Sequence, residues 1–134
     1  MYKNLNKRQI KKIAQSVHRK VFNNFTYVTD IEQYGVLEKW VMPDEVYNGS
    51  QKITGDCDDF ALACRKLMRE AGVKTRLVYC LDETGEGHLV LEASGYILDN
   101  RQTKLVSNKT LMKKGYQFLA ISGYESGDKW FKLA

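Results

Sequence analysis

The sequence predicts an α+β fold, with helices early and antiparallel strands late. Three observations carry this. Two long segments that end before Gly72 repeat apolar residues at helical spacing. Strand-forming residues dominate after Thr75 and are punctuated by glycine-bearing turns. No linker, internal repeat or low-complexity tract divides the chain, so residues 1–134 read as one domain. With 43% hydrophobic and 11% aromatic residues, this length buries a core without metal or disulfide staples.

The elements follow in order. Asn6 is positioned to cap a helix of roughly Lys7 to Asn23, whose apolar stripe is Ile10, Ile13, Ala14, Val17 and Val21. Thr29-Asp30-Ile31-Glu32 has the form of a capping box for a short helix that Gly35 would end. Trp40 to Ser50 holds the only proline, Pro43, and the turn-prone Asn48-Gly49-Ser50, so it reads as an irregular connection. A second long helix runs from Cys57 to about Ala71 and stops at Gly72, a good left-handed terminus. Thr75 to Leu81 reads as a strand, and Asp82 to Gly87, with two glycines and three acids, as a mobile loop. His88 to Ala93 and Tyr96 to Asn100 form a hairpin around Ser94-Gly95. A helical turn over Lys109 to Lys114 and strands over Tyr116 to Ser122 and Trp130 to Leu133 complete the chain.

Charge and cysteine usage narrow the function classes. Seven of the 21 basic residues (Lys3, Lys7, Arg8, Lys11, Lys12, Arg19 and Lys20) precede the first acid, Asp30. They lie mostly off the apolar stripe of the first helix and carry no interleaved aromatics, so a solvated helix face is favoured over a nucleic-acid arm. No apolar run reaches the length of a membrane span, and the basic opening Met1 to Lys7 lacks the apolar segment of a secretory signal. A cytoplasmic protein that binds no membrane is the expectation. Three cysteines, Cys57, Cys64 and Cys80, make no disulfide framework, which fits a reducing compartment. Two histidines, His18 and His88, are too few for an ordinary structural zinc site.

The chemistry concentrates in Gly55-Asp56-Cys57-Asp58-Asp59-Phe60-Ala61. Asp56 stands where a cap belongs and Asp59 three residues later, which places Cys57 at the first helical position. Phe60, Ala61, Cys64, Leu67, Met68 and Ala71 continue its face at helical spacing, so the thiol looks towards the sheet. Unpaired amides and the helix dipole favour a thiolate there, whereas the flanking carboxylates oppose it. A cation among the carboxylates, or an imidazolium beside the sulfur, resolves the conflict. Cys64 and Cys80 read as small core hydrophobes.

The hairpin supplies the partners. A two-residue turn pairs Ala93 with Tyr96, so Val90 opposes Asp99 and His88 opposes Arg101. His88 and Asp99 then share a face as diagonal neighbours about 7–8 Å apart, within reach of an imidazole–carboxylate bond. Cys57, His88 and Asp99 thereby form a candidate nucleophilic triad. Taken singly, His88 could be a loop-edge histidine and Asp99 a turn former.

A longer pattern runs through Tyr27-Val28-Thr29-Asp30, Tyr34-Gly35, Trp40, Pro43 with Glu45, the cysteine motif, Gly72-Val73, His88-Leu89-Val90-Leu91 and Leu98-Asp99-Asn100. In this order it resembles the bacterial transglutaminase-like cysteine proteinases, the group that includes a calcium-dependent periplasmic protease releasing biofilm adhesins. The resemblance spans about Tyr27 to Trp130. It implies a papain-like, transglutaminase-type core with a cysteine helix packed on an antiparallel sheet. It further implies Cys57 as nucleophile, His88 as general base and acid, Asp99 as orienter, a protein or peptide substrate, and calcium at Asp56 and Asp58, with no organic cofactor. Helix capping is the alternative role for Asp56 and Asp59. Periplasmic members carry an export signal that is not seen here, and family members in phage genomes offer an analogy for a small protein acting inside a host cell.

The expected function is thiol-dependent hydrolysis of a peptide or isopeptide bond through a thioester. Transglutaminase-like acyl transfer or deamidation is a second reading, and a catalytically silent binding module of the same fold a third. The Cys57 amide is the natural oxyanion donor, with Trp40, Tyr47, Asn48 and Gln51 as further candidates.

Overall fold

The computed structural model describes residues 3–23, 55–125 and 127–133. The helix expected from Thr29, the connection from Trp40 to Ser50, and the oxyanion candidates Trp40, Tyr47, Asn48 and Gln51 lie outside the described residues. Among the described residues three helices, α1 (Lys7–Asn23), α2 (Gly55–Glu70) and α3 (Asn108–Lys114), accompany six strands. The strands are β1 (Arg76–Leu81), β2 (Gly87–Ala93), β3 (Tyr96–Leu98), β4 (Val106–Ser107), β5 (Gln117–Ile121) and β6 (Phe131–Lys132). All pairings are antiparallel and the sheet order is β4-β3-β2-β1-β5-β6. This is the expected α+β architecture; β4 escapes a sequence reading because two residues carry no periodicity. Among the described residues no helix is long and apolar enough to cross a membrane.

Local chemistry accounts for the helices. Asn6 Oδ1 accepts from the Gln9 amide at 2.8 Å and Gln9 Oε1 accepts from the Asn6 amide at 2.9 Å, a reciprocal cap that starts α1. Gly72 adopts φ 85°, and the Val73 amide donates back to Met68 O at 2.9 Å, closing α2. At its other end α2 begins at Gly55, two residues earlier than the motif suggests. Asp56 is therefore inside the helix rather than before it, and Cys57 is the third helical residue. Ser107 caps α3 through its hydroxyl, and Gly115 ends it at φ 105°.

Two apolar layers enclose the sheet. Ala14, Val17 and Val21 of α1 and Phe60, Ala61, Cys64 and Met68 of α2 pack on Leu77, Tyr79, Leu89, Leu91 and Leu98. On the opposite face Val78, Cys80, Val90 and Ile97 meet Leu111 of α3 and Tyr116. Alternate residues of β1 and β2 thus enter different cores, and both strands are buried on two sides.

The hairpin has the expected register, Ala93 opposite Tyr96, with Ser94 at φ 51° and Gly95 at φ 87°. It ends sooner than expected. Leu98 is the last residue of β3, so the pairs Val90–Asp99 and His88–Arg101 do not form. The Asp99 carbonyl accepts from the Gln102 amide at 3.0 Å and its Oδ1 from the Arg101 amide at 2.9 Å, which turns the chain out of the sheet.

The loop expected to be mobile is closed on itself. Asp82 Oδ1 accepts from the Thr84 amide, the Thr84 hydroxyl and the Glu86 amide, and the Asp82 amide donates to Glu86 O at 3.0 Å. Asp82, one of the three acids of this segment, is structural here.

Replacing Asn6 with Ala removes one arm of the cap on α1 and should cost about 1 kcal/mol, measured as a lower urea midpoint. Asn6→Ser should recover most of the loss. Equal midpoints for Asn6→Ala and wild type would show that the cap contributes nothing.

Candidate active site

Three elements converge at one end of β2. His88 is the second residue of this central strand, opposite Cys80 on β1. Cys57 lies in the first turn of α2, which packs across the same strand. Asp99 is the first residue after β3. All three are buried: Cys57 is 1% exposed, His88 3% and Asp99 0%.

His88 Nε2 lies 2.6 Å from Asp99 Oδ1, and the His88 ring also shares a hydrogen bond with the Cys57 side chain. With Nε2 committed to the carboxylate, Nδ1 is the nitrogen left for sulfur. Burial by itself would favour a neutral imidazole. The Asp99 bond, the Cys57 bond and the electrostatic pull of both partners overturn it, and hold the His88 pKa at about 9. Burial likewise pushes the Asp99 carboxyl up, but the His88 bond and charge, the Arg101 amide and the Tyr116 hydroxyl bring it below the ordinary carboxylate value. The pair is therefore imidazolium and carboxylate at neutral pH. Cys64 and Cys80 are both buried, and burial raises their thiols well above the ordinary value. Neither has the imidazole that Cys57 meets.

The carboxylate of Asp99 is fully engaged. Its Oδ2 accepts from the Tyr116 hydroxyl at 2.8 Å, and the Tyr116 ring stands edge-on to His88 with centroids 6.1 Å apart. Burial and the adjacent carboxylate raise the phenol pKa, so this hydroxyl donates. Arg101 lies with its guanidinium 6.0 Å from the Tyr116 ring centroid. Its Nη1 is 2.9 Å from Asp82 Oδ2 and its Nη2 binds Glu83, which ties the turn after Asp99 to the loop before His88.

Comparison with known families decides what this arrangement belongs to. The model of the bacterial transglutaminase-like cysteine proteinases, BTLCP, matches residues 2–134. The chain belongs to this family. The proteinase therefore acts on proteins by cysteine-peptidase chemistry at the level the family defines. It is similar in structure to EGTA-treated LapG of Legionella pneumophila, at TM-score 0.51 and 17% identity, over 97% of this chain and 87% of that one. Calcium-bound LapG of the same organism aligns at TM-score 0.48 and 18% identity, over 96% and 88%. No curated protein matches the chain in sequence.

Of the predicted site residues, the proteinase brings Cys57, His88 and Asp99 into one buried network. Asp58 is half-buried and Asp59 buried on the same first turn as Cys57. Among the described residues no three His, Cys, Asp or Glu side chains are grouped as cation ligands. Those described therefore do not complete a calcium cage, for which several oxygens are required.

Two residues at the site are not evident in the motif. Tyr116 contacts Asp99 from 17 positions away, and no local pattern announces it. His18 accompanies it: its Nε2 is 3.0 Å from the Asp99 main-chain oxygen. A signal for His18 does exist, because it falls four residues after Ala14 on the buried stripe of α1.

Two outcomes follow from this network. A pKa near 9 in the fold against 6.5 unfolded means the folded proteinase binds the additional proton between these values. The stabilisation from His88 is complete below pH 6.5 and is lost as the pH rises through 9. Urea midpoints of wild type should fall over this window relative to those of His88→Gln; parallel profiles would contradict the ion pair. Tyr116→Phe deprives a buried carboxylate of a donor and should cost about 1–3 kcal/mol in the same assay. An unchanged midpoint would mean the hydroxyl is dispensable.

Proposed function

We propose that the proteinase hydrolyses peptide or isopeptide bonds with Cys57 as nucleophile, His88 as proton carrier and Asp99 as orienter. The observation that carries this reading is the 2.6 Å His88–Asp99 bond on an imidazole whose other partner is the Cys57 side chain. The imidazolium is the counter-charge for a thiolate, and the helix start adds its dipole.

In the proposed cycle the Cys57 sulfur attacks the carbonyl carbon, and the carbonyl π electrons move onto oxygen. Amides in the first turn of α2, including that of Cys57, have no intrahelical acceptor and are suited to receive this oxyanion. Collapse breaks the C–N bond, and the His88 proton goes to the departing amine. The acyl group remains as a thioester on Cys57. Water then attacks while His88 takes its proton. Release of the carboxylic acid restores the thiolate and imidazolium. Through both transfers Asp99 fixes the ring and stabilises its charged form.

Calcium at Asp56 and Asp58 is part of the proposal and rests on the family resemblance. It would offset the carboxylates flanking the thiol and tie down the start of α2; no chemical step passes through it. Further ligands would have to come from outside the described residues. We also place the proteinase in a reducing, cytoplasmic compartment, which three cysteines outside any disulfide favour.

Cys57→Ala should abolish alkylation of the site by iodoacetamide and hydrolysis of a casein substrate. His88→Ala should lower hydrolysis by about 10²–10⁴-fold. Persistence of activity without Cys57 would refute the nucleophile. A labelled primary amine added to the reaction separates hydrolysis from acyl transfer, since incorporation into protein would favour the latter. Millimolar calcium should raise the melting temperature relative to EGTA, and Asp58→Asn should remove the difference; identical melts would exclude a tight site.

A further inference from the structure

The feature that the proposed mechanism leaves unused is His18, the one histidine outside the Cys57–His88–Asp99 network. It is fully buried, stacked on Phe22 at 5.8 Å between centroids and edge-on to Phe60 at 5.4 Å. Phe60 lies one turn after Cys57 on α2. The His18 ring therefore touches both long helices, and its Nε2 reaches the Asp99 oxygen 3.0 Å away and 81 residues along the chain.

The chemistry of this contact is constrained. A main-chain carbonyl only accepts, so Nε2 must carry the hydrogen. Burial lowers the His18 pKa, against the raising effect of the Asp99 carbonyl and carboxylate, which favours a neutral ring. A neutral ring with hydrogen on Nε2 leaves Nδ1 bare, and this atom makes no hydrogen bond among the described residues. An apolar side chain of like size would satisfy Phe22 and Phe60 without leaving a buried nitrogen unbonded. Packing alone therefore does not call for a histidine; the donor to Asp99 does.

We propose that His18 is a positioning residue of the active site: its Nε2–H fixes the main chain of Asp99, and through it the direction of the carboxylate that orients His88. This rests on the triad reading above. Asp99 is held at both ends. The Gln102 amide and His18 grip its carbonyl, while His88, the Arg101 amide and Tyr116 grip its carboxylate. Asp99 is outside the sheet, so no ladder bond of β3 holds it. Release of the carbonyl would let the residue rotate about its backbone, and a hydrogen bond weakens steeply with misalignment.

The test compares His18→Leu, which keeps the apolar contacts, with His18→Gln, whose amide nitrogen can stand where Nε2 stands. Nitrogen-15 NMR of the wild type should show His18 neutral with hydrogen on Nε2; hydrogen on Nδ1 or a charged ring at neutral pH would overturn the proposal. The low-field proton resonance of the His88–Asp99 bond should persist in His18→Gln and be lost or displaced in His18→Leu. Alkylation of Cys57 by iodoacetamide should slow about tenfold or more in His18→Leu and recover in His18→Gln. A folded His18→Leu that retains both the resonance and the rate would also overturn it. If His18→Leu does not fold, the wild-type tautomer and the His18→Gln resonance decide. Failure of the triad reading looks different: Cys57→Ala would keep its activity while the NMR signals still report His18, Asp99 and His88.

Discussion

A carboxylate with no exposure to solvent is the constraint around which this protein is arranged. Asp99 ionised in an apolar interior would be strongly destabilising without partners, because burial disfavours charge and leaves lone pairs unmet. Here a cation and several donors meet it, and they come from β2, from the turn at Arg101 and from Tyr116. Each of these must be in place for the charge to be tolerated. The imidazolium of His88 is the other half of the arrangement, since it too would be neutral in this environment without Asp99. Stability and reactivity are in this sense one problem solved by the same hydrogen bonds.

The sheet makes that solution possible. Placing His88 on a strand covered on both faces fixes its backbone through the ladder to β1, where it pairs with Cys80. The helical layer brings the Cys57 turn to one face, while α3 and Tyr116 close the other. A site divided between two cores needs both to be well packed. In keeping with this, a residue as small as Ala61, one turn along α2 from Cys57, is fully enclosed.

Much of this was legible in the sequence wherever local physics decides. The Asn6 cap, the apolar stripe of α1, the Gly72 terminus and the Ser94-Gly95 turn each act within a few residues, and each is found where expected. His88 and Asp99 were placed together by register, although the chain meets the need differently: it leaves the strand at Leu98 and turns the carboxylate inward. What could not be read is what depends on distant partners. Tyr116 reads as an ordinary strand residue until β5 is set beside β1, and Asp82 to Gly87 reads as a mobile loop until Asp82 closes it and Arg101 binds that carboxylate. His18 falls between these cases, because its place on the stripe is local but its reason is Asp99.

The contact between His18 and Asp99 also bears on the order in which the molecule is built. A bond that spans 81 residues closes most of the chain, and a loop of that length carries an entropic cost that local contacts do not. Until α1, the hairpin and β5 have come together, Cys57 is a thiol without the partners described above. A partly folded chain therefore lacks the assembled network of Cys57, His88 and Asp99. The topology thus makes this network a property of the completed fold rather than of any local segment.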